Sequence, residues 1–222
     1  MASTNLFGPR SASDISSLIQ EYPLAWLISG SGDDILATQV PLIAELNPEG
    51  VVVRLLGHFA RRNPQVAALR DDGRATALFS GPHGYISPSW FRDRTQAPTW
   101  NVTTLKMRLR IRVDDRPECA DAVLARLVEH MERGRPHAWA IADMATRYEQ
   151  LRRGIVGFYG EVLTGDAKFK LGQNERIDVL VDQMAGLEAN GLADLARWVR
   201  EHNAHRTDMR PIASETNSSA PE

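Results

Sequence analysis

The sequence predicts a mainly β fold with appended helices, an α+β protein built on a closed or half-closed β-barrel. Three observations carry this. Six or seven short β-branched or alternating runs are bounded by Gly, Pro, Asn and Asp turn residues. Strand and helix do not alternate regularly, as a parallel doubly wound sheet would require. The amphipathic helical segments that follow the last strand are appended and not interleaved. No Gly-x-Gly-x-x-Gly follows any strand and no Gly-x-x-x-x-Gly-Lys occurs, which sets the common nucleotide-binding loops aside. The 222 residues are 43% hydrophobic and 24% charged, ordinary usage for a chain that buries a core. We expect one domain over residues 1–203, with C-terminal helices at about 174–203, and a disordered tail at 204–222.

Taken in order, Ser13 to Glu21 reads as a short helix opened by Ser13, with Ile15, Leu18 and Ile19 on one side. Leu24 to Ser29 and Ile35 to Pro41 flank the turn Gly30-Ser31-Gly32-Asp33-Asp34 and form a hairpin. Val51 to Gly57 and Arg74 to Ser80 follow their own turn residues as strands. Between them Asn63 caps a short helix at Gln65 to Arg70, with Pro64 at its first position. Thr104 to Val113 alternates strictly, Leu105, Met107, Leu109, Ile111 and Val113 on one face against Thr104, Lys106, Arg108, Arg110 and Arg112 on the other. Pro117 to Arg133 is an amphipathic helix, and Asp143 caps a second one reaching Arg153, which Gly154 ends. Ile155 to Leu163 is a strand. Asn174 to Leu187, capped by Asn174, and Leu192 to Asn203 are the two final helices, separated by Gly191. His205 to Glu222 holds almost no large apolar side chain.

The net charge is -2, so no whole-molecule field draws in nucleic acid or an acidic membrane. Cys119 is the only cysteine, which rules out an intramolecular disulfide and a cysteine metal cluster and fits a cytoplasmic setting. There is no apolar run near the length of a membrane span and no secretory signal, so we expect no membrane partner. His130, His137, His202 and His205 lack metal-site spacing and read as surface residues, and no metal site is expected. Cys119, at a helix start, reads as inert.

Three groups of residues point to ligand chemistry. Phe79 to Phe91 and Pro98 to Asn101 interleave aromatic faces with prolines, hydroxyls and amides, which suits a planar, polar-edged ligand; plugging the core is an equal alternative. Gly57-His58-Phe59-Ala60-Arg61-Arg62-Asn63-Pro64 places cations at a helix start, a natural phosphate seat, against the alternative of a solvated arginine pair. Lys168 to Asn174 is a second basic, amide-rich turn. The cationic face Lys106, Arg108, Arg110, Arg112 can touch a phosphate groove or a DNA backbone, but a solvated face outweighs that reading.

These strings, with Ile155-Val156-Gly157-Phe158, resemble the PaiB-type FMN-binding negative transcriptional regulators from about Leu18 to Leu187. Gly81-Pro82-His83-Gly84-Tyr85-Ile86-Ser87-Pro88-Ser89-Trp90 is the most specific of them. The resemblance implies a split β-barrel of the FMN-binding, pyridoxamine-phosphate-oxidase type and a homodimer with FMN at its interface. It implies that Arg61 and Lys170 neutralise the FMN phosphate, with backbone N–H groups at Asn63 and His58 orienting the phosphate or a neighbouring carboxylate. Ser87, Thr99, Asn101, Gln173 and Asn174 would bond the ribityl chain or ring edge, and Trp90 and Trp100 would cover the ring or close the interface. The chain departs from the family at Gln39-Val40-Pro41, where a His usually precedes the Leu-Pro, and after Asn101, where a Val-His-x-x-Gly pattern is replaced at Leu105-Lys106-Met107. Two histidines are thus missing. The function implied is an FMN-binding regulator with DNA as a possible partner. The alternative is an FMN-dependent oxidoreductase acting on a small molecule, its catalytic residues unassigned, and a haem-binding split barrel comes third.

Overall fold

The computed structural model describes residues 5–206; the part of the expected tail beyond Arg206 lies outside them. In chain order the elements are α1 (Ala12–Glu21), β1 (Leu24–Ser29), β2 (Leu36–Pro41), β3 (Ile43–Leu46), β4 (Val52–Ala60), α2 (Pro64–Asp71), β5 (Arg74–Ile86), β6 (Thr99–Asp114), α3 (Pro117–Glu132), α4 (Arg147–Arg152), β7 (Ile155–Lys170), α5 (Ile177–Ala189) and α6 (Ala193–His202). Single 3₁₀ turns lie at Pro88–Trp90 and Ile141–Met144. The described residues divide into two compact units, 5–81 with 102–169, and 82–101 with 170–206.

The strands form one seven-stranded sheet in the order β2-β1-β5-β6-β7-β4-β3. Strands β2 and β3 stand at opposite ends of that order, yet only Leu42 separates them in the chain. A flat sheet cannot satisfy both facts, so the sheet rolls up and Leu42, fully buried, sits at the seam. This is the barrel that the sequence predicts, with β1 antiparallel to β2 and β5, and β4 antiparallel to β3 and β7. Its inside is filled by Leu27, Leu55, Phe59, Ala77, Phe79, Leu105, Leu109 and Phe158, with Phe59 and Phe158 stacked at 4.8 Å. Gly57 is required there, because a Cβ would stand 2.5 Å from Phe158 and 2.8 Å from Leu42. The β6 alternation holds, with Leu105, Met107, Leu109 and Ile111 buried and the four cations between and after them exposed.

Helix α2 is positioned by its first residues. Asn63 Oδ1 accepts from the Gln65 backbone N–H at 2.9 Å, the predicted cap. The buried Gln65 amide then donates to Leu27 O at 2.9 Å and Ser29 Oγ at 3.0 Å, tying the helix to β1.

In the second unit Ile86, Phe91, Leu171, Val179, Leu180, Leu187, Leu195, Trp198 and Val199 are buried. Gly186 on α5 lets Trp90 lie flat against the helix, since a Cβ there would meet the indole at 2.4 Å. Asn203 donates to Leu171 O at 2.9 Å, and Arg206 donates to Glu175 O at 2.5 Å.

Several boundaries differ from expectation. Strand β5 runs through Gly81 and Pro82 to Ile86, and β7 runs to Lys170 and not Leu163, because neighbouring strands extend pairing past residues that are poor strand formers alone. Strand β3, a four-residue element, was not foreseen. Asp143 does not cap a helix reaching Arg153. Its carboxylate accepts from Ala140 N at 2.9 Å to close a 3₁₀ turn, which Ala145 ends at φ 46° before α4 begins. Helix α1 starts at Ala12, not Ser13, and α5 starts at Ile177, so Asn174 does not cap it. His202 is not a surface histidine. It is 2% exposed and stacks on Trp198 at 5.5 Å.

Candidate functional site

In the second unit a cavity of about 260 Å³ is bordered by Thr99, Lys170 and Asn174, three of the residues expected to hold a cofactor, together with Gln183 of α5. Thr99 opens β6 and Lys170 ends β7, so both side chains are placed by strand ends. Lys170 Nζ donates to Thr99 Oγ1 at 2.5 Å, and no carboxylate lies within ion-pair distance of that ammonium among the described residues. A half-buried cation held only by a hydroxyl keeps donor capacity and charge for a bound anion.

The next turn is shaped by Gly172 at φ +78°, a left-handed conformation that favours glycine. There Gln173 Oε1 accepts from Leu171 N at 2.7 Å, and Asn174 is exposed. Gln183 is 1% exposed and its Nε2 has no hydrogen-bond partner. A buried amide donor without a partner is costly unless something supplies an acceptor. Ile86, Phe91, Pro98 and Val179 form the apolar part of the wall. Gln183 was not singled out in the sequence; its spacing within α5 looks like any other helical polar residue, and only its burial marks it.

The other expected residues of this unit have separate settings. Asn101 is 1% exposed with Nδ2 unpartnered. Ser87 accepts from Ser89 N at 3.2 Å and so caps the 3₁₀ turn. Trp90 packs on α5 through Gly186. Trp100 is 55% exposed and meets Tyr85 edge-on at 6.0 Å, offering an open aromatic face.

In the first unit His58 lies on β4 opposite Gly157. Its Nδ1 is buried without a partner, and burial lowers the imidazole pKa, so the ring is neutral. Asn63 divides its amide between the α2 cap and Thr38 Oγ1, which accepts at 3.0 Å. Arg61 is committed: it pairs with Asp115 at 2.7 Å and donates to Arg153 O at 3.2 Å and Ile155 O at 2.8 Å. Arg62 next to it is exposed, with no partner among the described residues.

FMN presents an anionic phosphate, a hydroxylated ribityl chain and a ring with carbonyl and N–H edges. Within the second unit, the uncompensated Lys170 and the unpartnered amides of Gln183 and Asn101 supply donors of the kind such a molecule needs. The residues fit the cofactor. Among the described residues no three His, Cys, Asp or Glu side chains are grouped to hold a metal ion, and no helix is long and apolar enough to cross a membrane.

Comparison with known proteins agrees. The family described as "Putative FMN-binding domain" matches residues 1–163. The chain is 30% identical to the Protease synthase and sporulation protein PAI 2 of Bacillus subtilis, over 76% of this chain and 80% of that one. It is 26% identical to an uncharacterized protein of Emericella nidulans, over 66% and 72%. Among solved structures, an FAD and heme binding protein from Mycobacterium smegmatis matches with a TM-score of 0.54 at 14% identity, over 74% of this chain and 73% of that chain. The flavocytochrome Anf3 of Azotobacter vinelandii matches with a TM-score of 0.54 at 13% identity, over 78% and 73%; at such identities the two share a fold with this chain. A rolled antiparallel sheet with appended helices, donors that suit FMN and a family match over most of the chain lead to one conclusion: the protein is a PaiB-like split barrel of the FMN-binding domain family, with FMN as its cofactor.

Proposed function

We propose that this protein works as a homodimer that retains FMN, with Lys170 and the cavity beside it as the principal contact. The observation that carries the reading is the uncompensated Lys170 ammonium in a cavity shared with Thr99, Asn174 and the unpartnered Gln183 amide. Lys170 would hold the phosphate, while Thr99, Gln173 and Asn174 would bond ribityl hydroxyls. Asn101 would donate to a ring carbonyl, and Trp100 would cover the ring. Ser87 and Trp90 would set the loop that carries these contacts. The first unit is read by itself: His58 and the Asn63 turn would form a seat for a phosphate or carboxylate, which Arg61 would join only by exchanging Asp115 for the anion. Bound FMN supplies one- and two-electron redox chemistry. The protein's own contribution is placement, water exclusion and a neutral imidazole at His58.

An absorption spectrum of the purified protein, followed by titration of the apoprotein with FMN under fluorescence quenching, tests this. Stoichiometric uptake that Lys170→Gln weakens about tenfold or more supports the reading. Unchanged affinity in that variant removes it.

Two roles are open to such a flavoprotein. Repression of transcription rests on the PaiB likeness and on the exposed cationic face of β6; a salt-dependent shift of a promoter fragment is its expected result, and no shift at low salt argues against it. Oxidoreduction of a small molecule rests on the apolar wall at Phe91, Pro98 and Val179. Its expected result is bleaching of the flavin by NADH or NADPH under anaerobic conditions.

A further inference from the structure

A groove of about 490 Å³ opens on the first unit where β6, β7 and β4 run side by side, bordered by Val53, Arg54, Arg110, Arg112, Tyr159 and Glu161. Its cations are not equivalent. Arg54 is paired with Glu45 at 2.9 Å, and its guanidinium lies over the Tyr159 ring, 5.8 Å from the centroid. Arg110 and Arg112 are exposed and have no carboxylate within ion-pair distance among the described residues; Arg110 lies only in the outer field of Asp72, which Arg74 holds at 2.6 Å. Alternate residues of a strand project from the same face about 7 Å apart, so two uncompensated guanidinium forks stand in a row. Linked phosphates match that arrangement better than one carboxylate, because each fork takes two oxygens.

The rest of the groove asks for more than a polyanion. The Arg54 guanidinium stacked on Tyr159 is a flat, weakly hydrated platform of the kind that bases stack on, and Val53 extends its apolar floor. Glu161 pairs across the β4–β7 ladder with Arg54 in register, yet its carboxylate makes no ion pair among the described residues. An acid beside two arginines repels a bare polyphosphate and accepts from neighbouring hydroxyls, as a ribose provides.

We infer that this groove binds a nucleoside diphosphate, free or as one half of a dinucleotide, with phosphates on Arg110 and Arg112, the base on the Arg54–Tyr159 platform and the ribose hydroxyls on Glu161. The groove shares no lining residue with the Lys170 cavity, and the inference requires that FMN does not occupy it.

The test is calorimetric titration of the FMN-loaded full chain with ADP, adenosine, inorganic pyrophosphate and oxidised NAD, with flavin absorbance followed in parallel. ADP is expected to bind at least about tenfold more tightly than adenosine or pyrophosphate, and Arg110→Gln with Arg112→Gln to weaken it by about tenfold or more at unchanged flavin content. Glu161→Gln is expected to narrow the preference for ADP over pyrophosphate. NAD binding more tightly than ADP identifies the dinucleotide as the source; equal affinity identifies the free nucleotide. Pyrophosphate binding as tightly as ADP reduces the groove to an anion patch and overturns the inference, as does an unaffected double variant. Loss of FMN together with ADP in that variant overturns it too, by making the groove part of the cofactor site.

Discussion

Lys170 and His58 illustrate two ways in which a side chain is held ready. Lys170 donates to the Thr99 hydroxyl and has no carboxylate within ion-pair distance among the described residues, so a bound phosphate would supply the acid that no protein group supplies. His58 is neutral because burial opposes its proton. Its pKa in the folded protein lies below the ordinary 6.5, so the unfolded chain takes up a proton first as pH falls. Its contribution to stability is therefore full above about pH 6.5 and lost progressively below it. Denaturant titrations from pH 8 to pH 5 should show that decline, and His58→Gln should flatten it. Gly186→Leu is expected to destabilise the protein by about 1–3 kcal/mol through its clash with Trp90, measurable as a fall in Tm. At this scale the sequence exposed residue types better than their states. Asn63 and Lys170 stood out by position, but the commitment of Arg61 to Asp115, the burial of His202 and the orphaned Gln183 amide depend on packing partners distant in the chain.

Among the elements, β4 and β7 are joined at one end by Arg61, whose side chain reaches the carbonyls of Arg153 and Ile155. Arg61→Ala should cost about 1 kcal/mol of stability, since the bonds are exposed, and shift the denaturation midpoint without changing its slope. Comparing its FMN affinity with that of Arg62→Ala tests whether either arginine contributes to holding the cofactor, and unchanged affinity in both removes them from it. Strand β6 was legible because five apolar residues alternate with cations, a signal that survives without tertiary context. The ends of β5 and β7 were not legible. Pro82 and Gly84 in one, and Gly165 in the other, are turn formers locally, and only pairing with neighbouring strands keeps them extended. The four residues of β3 are too few to show a period, and Pro41 before them reads as a stop.

For the whole molecule, the seam at Leu42 fixes closure of the barrel. Leu42→Ala should cost about 2–5 kcal/mol, because the side chain is fully buried beside Gly57 and the ends of the strand order meet there. Light scattering on the FMN-loaded protein should give twice the 24.7 kDa chain mass if it is the dimer proposed here. The barrel could be anticipated from strand spacing and the missing nucleotide loops, while its closure needed the strand order, which no local pattern encodes.

Cys119 is the chain's single thiol, 3% exposed against Val123 and Leu56, and burial raises its pKa. A disulfide reagent therefore cannot reach its thiolate in the closed barrel. Labelling requires the first turn of α3 to open away from β4 and β7, so the reaction rate at a fixed reagent concentration measures the opening equilibrium of that turn. The protein thus carries a stopwatch for its own breathing, readable with no engineered probe, and its slowing on addition of FMN would report how far the cofactor stiffens the scaffold.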